Sequence, residues 1–279
     1  PIYVRHEIVH NRSVVEELES RGVVFVGELD EVPAGARVVF SAHGVARSVP
    51  QEAERRELSY LDATCPLVSK VHRGAERNSA EGREVVLIGH AEHPEVVGTM
   101  GQLEPGEMQL VETVADAEEF APRDPKRIAY ATQTTLAVDD TEEIIRVLRR
   151  RFPDIAEPHK DDICYATTNR QAAVKAIAPR CDAIVVIGSP NSSNSLRLTE
   201  VARKAGCPLA VMVGSYAELN WSALANTTTV GVTAGASAPE RLVQDLVAAF
   251  RERYLVTVEE MTVTTEDVHF RLPRSLEEA

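Results

Sequence analysis

The sequence is poor in cysteine, in positive charge and in long apolar runs, and each shortage excludes something. Four cysteines in 279 residues are too few for a disulfide-built scaffold, and no Cys-x-x-Cys pair occurs to suggest a zinc ribbon or a thioredoxin-type site. That usage suits a reducing, cytoplasmic compartment. No apolar run reaches the ~18 residues that a membrane span requires. No leader peptide is visible, although the chain starts at Pro1 rather than Met. Thirty basic against 43 acidic side chains leave a formal net charge of −13. This balance argues against nucleic acid and anionic membranes as partners, because both reward basic faces. The run Arg149-Arg150-Arg151 does not change that, since it closes a helical pattern where cations suit the dipole. An anionic ligand would have to be held by local geometry. The nucleotide cradles GxxxxGK[ST] and GxGxxG are also missing.

What is present describes an ordinary globular protein, 44% hydrophobic and 26% charged, long enough for two or more compact units. Short β-branched runs at 23–26, 38–40, 85–88, 128–130, 183–187, 209–213 and 229–232 alternate with helical patterns such as 141–151 and 196–205. Alternation of this kind predicts parallel sheets covered by helices, an α/β fold. Several strands run into loops of small polar residues or histidine: VVFSAHG (38–44), VVLIGHAEH (85–93), IAYATQTT (128–135), IVVIGSPNSS (184–193) and VGVTAGAS (230–237). Ligands of open parallel sheets sit beyond the carboxyl ends of the strands, so five such ends predict sheets that present these edges to a shared pocket.

The stretch GSPNSSNS at 188–195 is the most informative of them. Serine hydroxyls, asparagine amides and open N–H groups at a helix start make a neutral donor cradle for phosphate oxygens. Ser192, Ser193 and Asn194 precede the predicted helix 196–205, whose dipole adds to the attraction. Helix capping is the plainer explanation, but a cap needs one such residue and this stretch has five. His10, His43 and His93 stand in or beside comparable loops, where imidazoles donate to an anion and become charged near one. Glu95, after His93-Pro94, is either a proton donor beside the same loop or a first-turn glutamate favoured by the helix dipole.

Cys65, in DATCPLVSK, and Cys164, in KDDICYATTNRQ, each precede a predicted helix, the second containing 170–177. A thiol at a helix start has a lowered pKa and suits metal ligation, which points to metal or Fe–S chemistry. Cys181 and Cys207 stand at the amino ends of strands and read as core residues. Residues 6–10 spell His-Glu-Ile-Val-His, a literal HExxH. That zinc signature works only on a helix. Here it follows the extended Ile2-Tyr3-Val4, and the helix starts after it, with Ser13 and Glu16 as a capping box and Gly22 as its end. The match reads as accidental.

Together the motifs VRHEIVHNRSVV, FSAHGV, DATCPLVSKVH, LIGHAEHPEVVGTMGQ, ATQTTLAVDDT, KDDICYATTNRQ, GSPNSSNSLRL and GVTAGASAPE resemble the 4-hydroxy-3-methylbut-2-enyl diphosphate reductase family, along almost the whole chain. The resemblance implies three similar α/β lobes around a central pocket, each a small parallel sheet with flanking helices. The lobes would span 1–65, incomplete at its amino end, 66–161 and 162–249, with a tail at 250–279 returning to the first. It implies a [4Fe–4S] cluster with Cys65 and Cys164 among its ligands. His10, His43, His93, Ser192, Ser193, Asn194 and Ser237 would hold the substrate diphosphate, Thr134 would sit by the substrate hydroxyl, and Glu95 would deliver protons. The implied reaction removes that hydroxyl as water with two electrons and two protons, giving isopentenyl and dimethylallyl diphosphates in the non-mevalonate pathway. A ferredoxin- or flavodoxin-like protein would donate the electrons. The family places a third cluster cysteine in an upstream Gly-Phe-Cys segment that nothing here matches. The expectation is a truncated form of the gene product, the alternative a divergent member with an incomplete cluster. The runner-up is a diphosphate-binding protein without redox activity.

Overall fold

The computed structural model describes residues 1–270 and Leu276. Its strands form three sheets, and every pairing within them is parallel. Contacts divide the chain into two units. The first holds Pro1–Val9, Leu18–Cys164 and the described residues from His269, and the second holds His10–Glu17 and Tyr165–Val268.

In the first unit, β1 (Ile2–Arg5), β2 (Val23–Val26), β3 (Arg37–Phe40) and β4 (Ser59–Asp62) form one sheet in the order β2-β1-β3-β4. A second sheet is made by β5 (Glu84–Ile88), β6 (Met108–Val111) and β7 (Ile128–Thr132), ordered β6-β5-β7. The β-branched runs predicted β2, β3, β5 and β7, and Ile2-Tyr3-Val4 of β1 reads only as extended sequence; β4 and β6 were not predicted. Both are edge strands, incompletely buried, and neither needs the continuous apolar run that marks a strand covered on both faces. β7 is also an edge, yet it is buried along its length. Its open side is covered by the segment at Ala156, whose N–H donates to Ile128 O while Tyr130 N–H donates to Ala156 O.

α1 (Arg12–Ser20) belongs to the second unit up to Glu17 and to the first from Leu18, and the helices within the first are α2 (Ser48–Arg55), α3 (Pro66–Ala80), α4 (Pro94–Met100), α5 (Val114–Glu119) and α6 (Val138–Arg151). Capping of α1 corrects the expectation. Asn11 Oδ1 accepts from Val14 N–H at 3.2 Å, and Ser13 already lies inside the helix, so no Ser13–Glu16 box forms. Gly22, at φ +87°, ends the turn after it as predicted. The helix leaves His6 in a turn at φ 60° and His10 before its start, so the HExxH residues share no helical face. α6 lays Ile144, Ile145 and Leu148 on Val86, Ile88 and Tyr130 of the second sheet. Each such side chain contributes roughly 1.5–3 kcal/mol by leaving water.

The second unit contains β8 (Ala183–Ile187), β9 (Leu209–Val213) and β10 (Val230–Ala234), ordered β10-β8-β9, with α7 (Tyr165–Ile177), α8 (Ser193–Lys204) and α9 (Glu240–Arg253). α8 begins three residues before the predicted 196: Ser193, Asn194 and Ser195 lie inside its first turn, and of the three residues expected before the helix only Ser192 precedes it. Leu198, Val201 and Ala202 pack with Ile184 and Val186, and Cys181 and Cys207 are buried in the same cluster, as expected of core thiols. All five polar loops follow the carboxyl ends of their strands: β3, β5, β7, β8 and β10. Among the described residues no helix is long and apolar enough to cross a membrane. The expected return of the 250–279 tail to the first lobe falls partly outside the described residues.

Candidate active site

In the first unit the loops after β5 and β7 meet through Gln133. This buried side chain accepts from His90 N–H at 3.0 Å and donates to Thr135 Oγ1 at 3.0 Å. On that base stands Glu95, in the first turn of α4. Its carboxylate does not cap its own helix. The cap is His93, whose Nδ1 accepts from Glu95 N–H at 3.2 Å. That bond assigns the neutral His93 proton to Nε2, leaving this nitrogen as a donor. The Glu95 carboxylate instead crosses to the β7 loop. Oε1 accepts from Thr134 N–H at 2.6 Å and Oε2 from Thr134 Oγ1 at 2.9 Å.

Glu95 is 2% exposed. Burial pushes its carboxyl up to about 7, against the lowering influence of the two Thr134 bonds, and the Asp162 carboxylate nearby adds to the rise. A carboxylic acid that changes charge near neutrality, bonded to a hydroxyl, has the properties of a general acid. The first-turn reading of Glu95 therefore does not account for the way it is held.

The same unit carries His43 and both candidate ligand thiols. The His43 and His93 rings meet edge to face with centroids 5.9 Å apart. His43 is followed by Gly44 at φ +80°, where a Cβ would lie 2.7 Å from His72 Cε1, so this turn accepts only glycine. Cys65 is the N-cap residue of α3, and its N–H donates to Ala42 O at 3.0 Å. Cys164 N–H donates to Thr134 O at 3.0 Å. Each thiol is thus anchored through its backbone to a strand-end loop, one beside His43 and the other at Thr134. Both are partly exposed, in contrast to Cys181 and Cys207. Among the described residues, no group of three or more His, Cys, Asp or Glu side chains could hold a metal ion.

The second unit gathers the serine–asparagine loop, His10 and Ser237. Ser192 is the N-cap of α8: its Oγ accepts from Ser195 N–H at 3.3 Å and from Ser195 Oγ at 3.1 Å. One serine therefore does cap, and Ser193 and Asn194 follow it in the first turn, both buried. Asn194 binds on two sides, donating to Thr167 Oγ1 at 3.2 Å and accepting from Ala236 N–H at 2.9 Å. Asn191 Nδ2 lies 3.3 Å from His10 Nδ1, and Ser237 Oγ donates to His10 O at 3.1 Å. The loop approaches the helix so closely that a Cβ at Gly188 would lie 2.2 Å from Ser195 Oγ, as would one at Gly235. Arg197 pairs with Glu200 at 2.8 Å, so its charge is balanced within α8 and the start of the helix keeps neutral donors.

Four residues of this geometry escaped the sequence reading as site residues: Lys70, Gln133, Asp162 and Asn191. All four lie inside stretches already singled out, but nothing in the local pattern marks Lys70 and Asp162, 92 positions apart, as ion-pair partners.

The fold and these loops define a class: an α/β enzyme whose strand ends carry a buried acid near neutrality and a neutral donor cradle. The particular family follows from comparison with known proteins. Residues 1–251 match the LytB protein family. The chain belongs to that family. It is 60% identical over 279 residues to the 4-hydroxy-3-methylbut-2-enyl diphosphate reductase of Paracoccus denitrificans, a match covering 100% of this chain and 88% of the relative. The enzyme of that name from Phenylobacterium zucineum is 61% identical over 276 residues, covering 99% and 88% respectively. Among solved structures, the E-1-hydroxy-2-methyl-but-2-enyl-4-diphosphate reductase of Plasmodium falciparum superposes with a TM-score of 0.96 at 35% identity, covering 100% of this chain and 87% of that one.

Proposed function

We infer that the chain is a 4-hydroxy-3-methylbut-2-enyl diphosphate reductase, the terminal enzyme of the non-mevalonate route to isoprenoids. The reaction replaces the allylic C–O bond by C–H: two electrons and two protons enter, and the hydroxyl leaves as water. The observation that carries the protein's part is the Glu95–Thr134 pair. Neutral Glu95 donates through Oε2 to Thr134 Oγ1, and the threonine proton turns to the substrate hydroxyl. A proton delivered there lets the oxygen depart as water rather than hydroxide. A carboxyl held at about 7 is half protonated near neutral pH, where it can both give a proton and regain one.

Diphosphate binding is assigned to His10, Ser192, Ser193, Asn194 and Ser237, and the family resemblance proposes the same role for His43 and His93. The reading is supported by neutral donors at the start of α8 and by the Nε2 donor that the cap bond leaves on His93. The reaction needs a source of single electrons. Membership of the LytB family implies an iron–sulfur cofactor, and the finer assignment is a [4Fe–4S] cluster fed by a ferredoxin- or flavodoxin-like donor. Cys65 and Cys164 are anchored, partly exposed thiols that suit two ligand positions. The buried Cys181 and Cys207 add none. Two thiolates fall short of the cysteine set of a four-iron cluster. The division into lobes at 1–65, 66–161 and 162–249 belongs to the same proposal, supported by one parallel sheet within each.

The test is turnover by the protein expressed from its intact gene, under anaerobic conditions with a reduced viologen dye as electron source. Isopentenyl and dimethylallyl diphosphates should both form. A protein that binds the substrate and consumes dye without releasing either product would refute the assignment.

A further inference from the structure

Lys70 and Asp162 form an ion pair that no part of the proton path uses. The Lys70 Nζ lies 3.0 Å from Asp162 Oδ1, with Asp162 4% exposed. The same ammonium donates to Lys160 O at 2.8 Å and Asp161 O at 2.7 Å, so all three of its N–H bonds find acceptors on one short segment. The other carboxylate oxygen, Asp162 Oδ2, accepts from Thr132 N–H, the last residue of β7, at 3.2 Å. Two residues further along each chain segment, Cys164 N–H donates to Thr134 O.

These bonds join three segments. Lys70 stands on α3, the helix that Cys65 caps. Residues 160–164 carry Cys164. The end of β7 leads directly to Thr134, the partner of Glu95. A buried charge pair is weak evidence of stability by itself, because desolvation offsets much of the attraction. What it supplies is a single geometry. We propose that Lys70 and Asp162 are positioning residues for the reductive dehydration, holding the Thr134 loop and the Cys164 segment in register with the helix begun by Cys65. This inference rests on the reductase reading for its kinetic consequence and on the hydrogen bonds alone for its structural one.

The two can be tested separately with K70M, K70R and D162N, in protein expressed from the intact gene. K70M keeps the aliphatic stem and removes every donor. Misplacement of a reacting group by about 1 Å costs on the order of a hundredfold in rate, so kcat should fall between ten- and a hundredfold. KM should stay within about twofold, because the serine–asparagine cradle is untouched. Amide exchange should quicken at Thr132 and Cys164 while the core of β5 is unchanged. K70R, which keeps charge and donors, should restore most of both losses. Where K70M does not fold, D162N serves: it keeps the shape and the two carbonyl bonds, and should show the same pattern more weakly. Unchanged kcat and exchange in either folded variant, or K70R no better than K70M, would overturn the proposal. A wild-type protein without reductase activity would instead overturn the functional reading, and the exchange data would still decide whether the staple exists.

Discussion

Replacing Glu95 by glutamine separates the proton from the shape that holds it. The amide oxygen still accepts from Thr134 N–H, and the amide N–H2 faces Thr134 Oγ1, which accepts after its hydroxyl rotates. Turnover should drop by roughly 10²–10⁴-fold, the usual contribution of a positioned acid, while substrate affinity is nearly retained. A second consequence is thermodynamic. In the folded protein the carboxyl sits at about 7, against 4.5 ordinarily, so the native state holds its proton where the unfolded chain has released it. Folding is then least penalised below pH 4.5, and that stability is lost as pH rises to about 7. At about 1.36 kcal/mol per pH unit, the interval corresponds to roughly 3 kcal/mol. Glu95→Gln removes this dependence. Urea unfolding of both proteins at pH 5 and pH 8 should show the mutant gaining on the wild type by up to about 3 kcal/mol at the higher pH. Wild-type kcat should also decline as pH rises through about 7. A mutant with near-normal turnover, or two proteins whose stabilities run parallel between pH 5 and 8, would refute the reasoning.

Ser192→Ala and Ser193→Ala should differ in kind. The first removes the α8 cap and should cost about 1 kcal/mol of stability, whereas both should weaken diphosphate binding, since a hydrogen bond to a charged group contributes roughly 1.5–3 kcal/mol. Chemical denaturation and calorimetric titration with substrate check the two effects, and equal stability losses would remove the distinction. Gly188→Ala would place a methyl group against Ser195, so it should destabilise the second unit and release the cradle; an alanine variant with wild-type melting and affinity would contradict the close approach. Cys65→Ser and Cys164→Ser should each lower bound iron and sulfide, while Cys181→Ser and Cys207→Ser should leave the iron unchanged. Metal analysis after anaerobic reconstitution decides this, and iron lost with Cys181 would overturn the ligand assignment.

Parts of this molecule were legible because one rule governed them. The run at 183–187 is a strand to the residue and buried along its length, as a parallel strand covered on both faces requires, and the apolar run at 209–213 is likewise a strand to the residue. The edge strands β4 and β6 carry no such requirement and were invisible. For Ser192 the sequence offered capping and anion binding as rivals, and the structure shows the cap, with Ser193 and Asn194 in the first turn behind it. Glu95 could not be decided from its position after Pro94, because its environment is made by Thr134, 39 residues away. Lys70 and Asp162 were unreadable for the same reason, as their pairing depends on how α3 meets the segment before Cys164.

The central claim is that Glu95 supplies the proton with which an allylic hydroxyl leaves as water. It is tested most directly by anaerobic turnover of 4-hydroxy-3-methylbut-2-enyl diphosphate with the wild type and with Glu95→Gln, at pH 7 and matched iron content, with products resolved by mass. The wild type should release isopentenyl and dimethylallyl diphosphates with the diphosphate intact, and the mutant should bind substrate yet form almost none. Equal product from both, or inorganic diphosphate in place of the two alkenyl products, would contradict it.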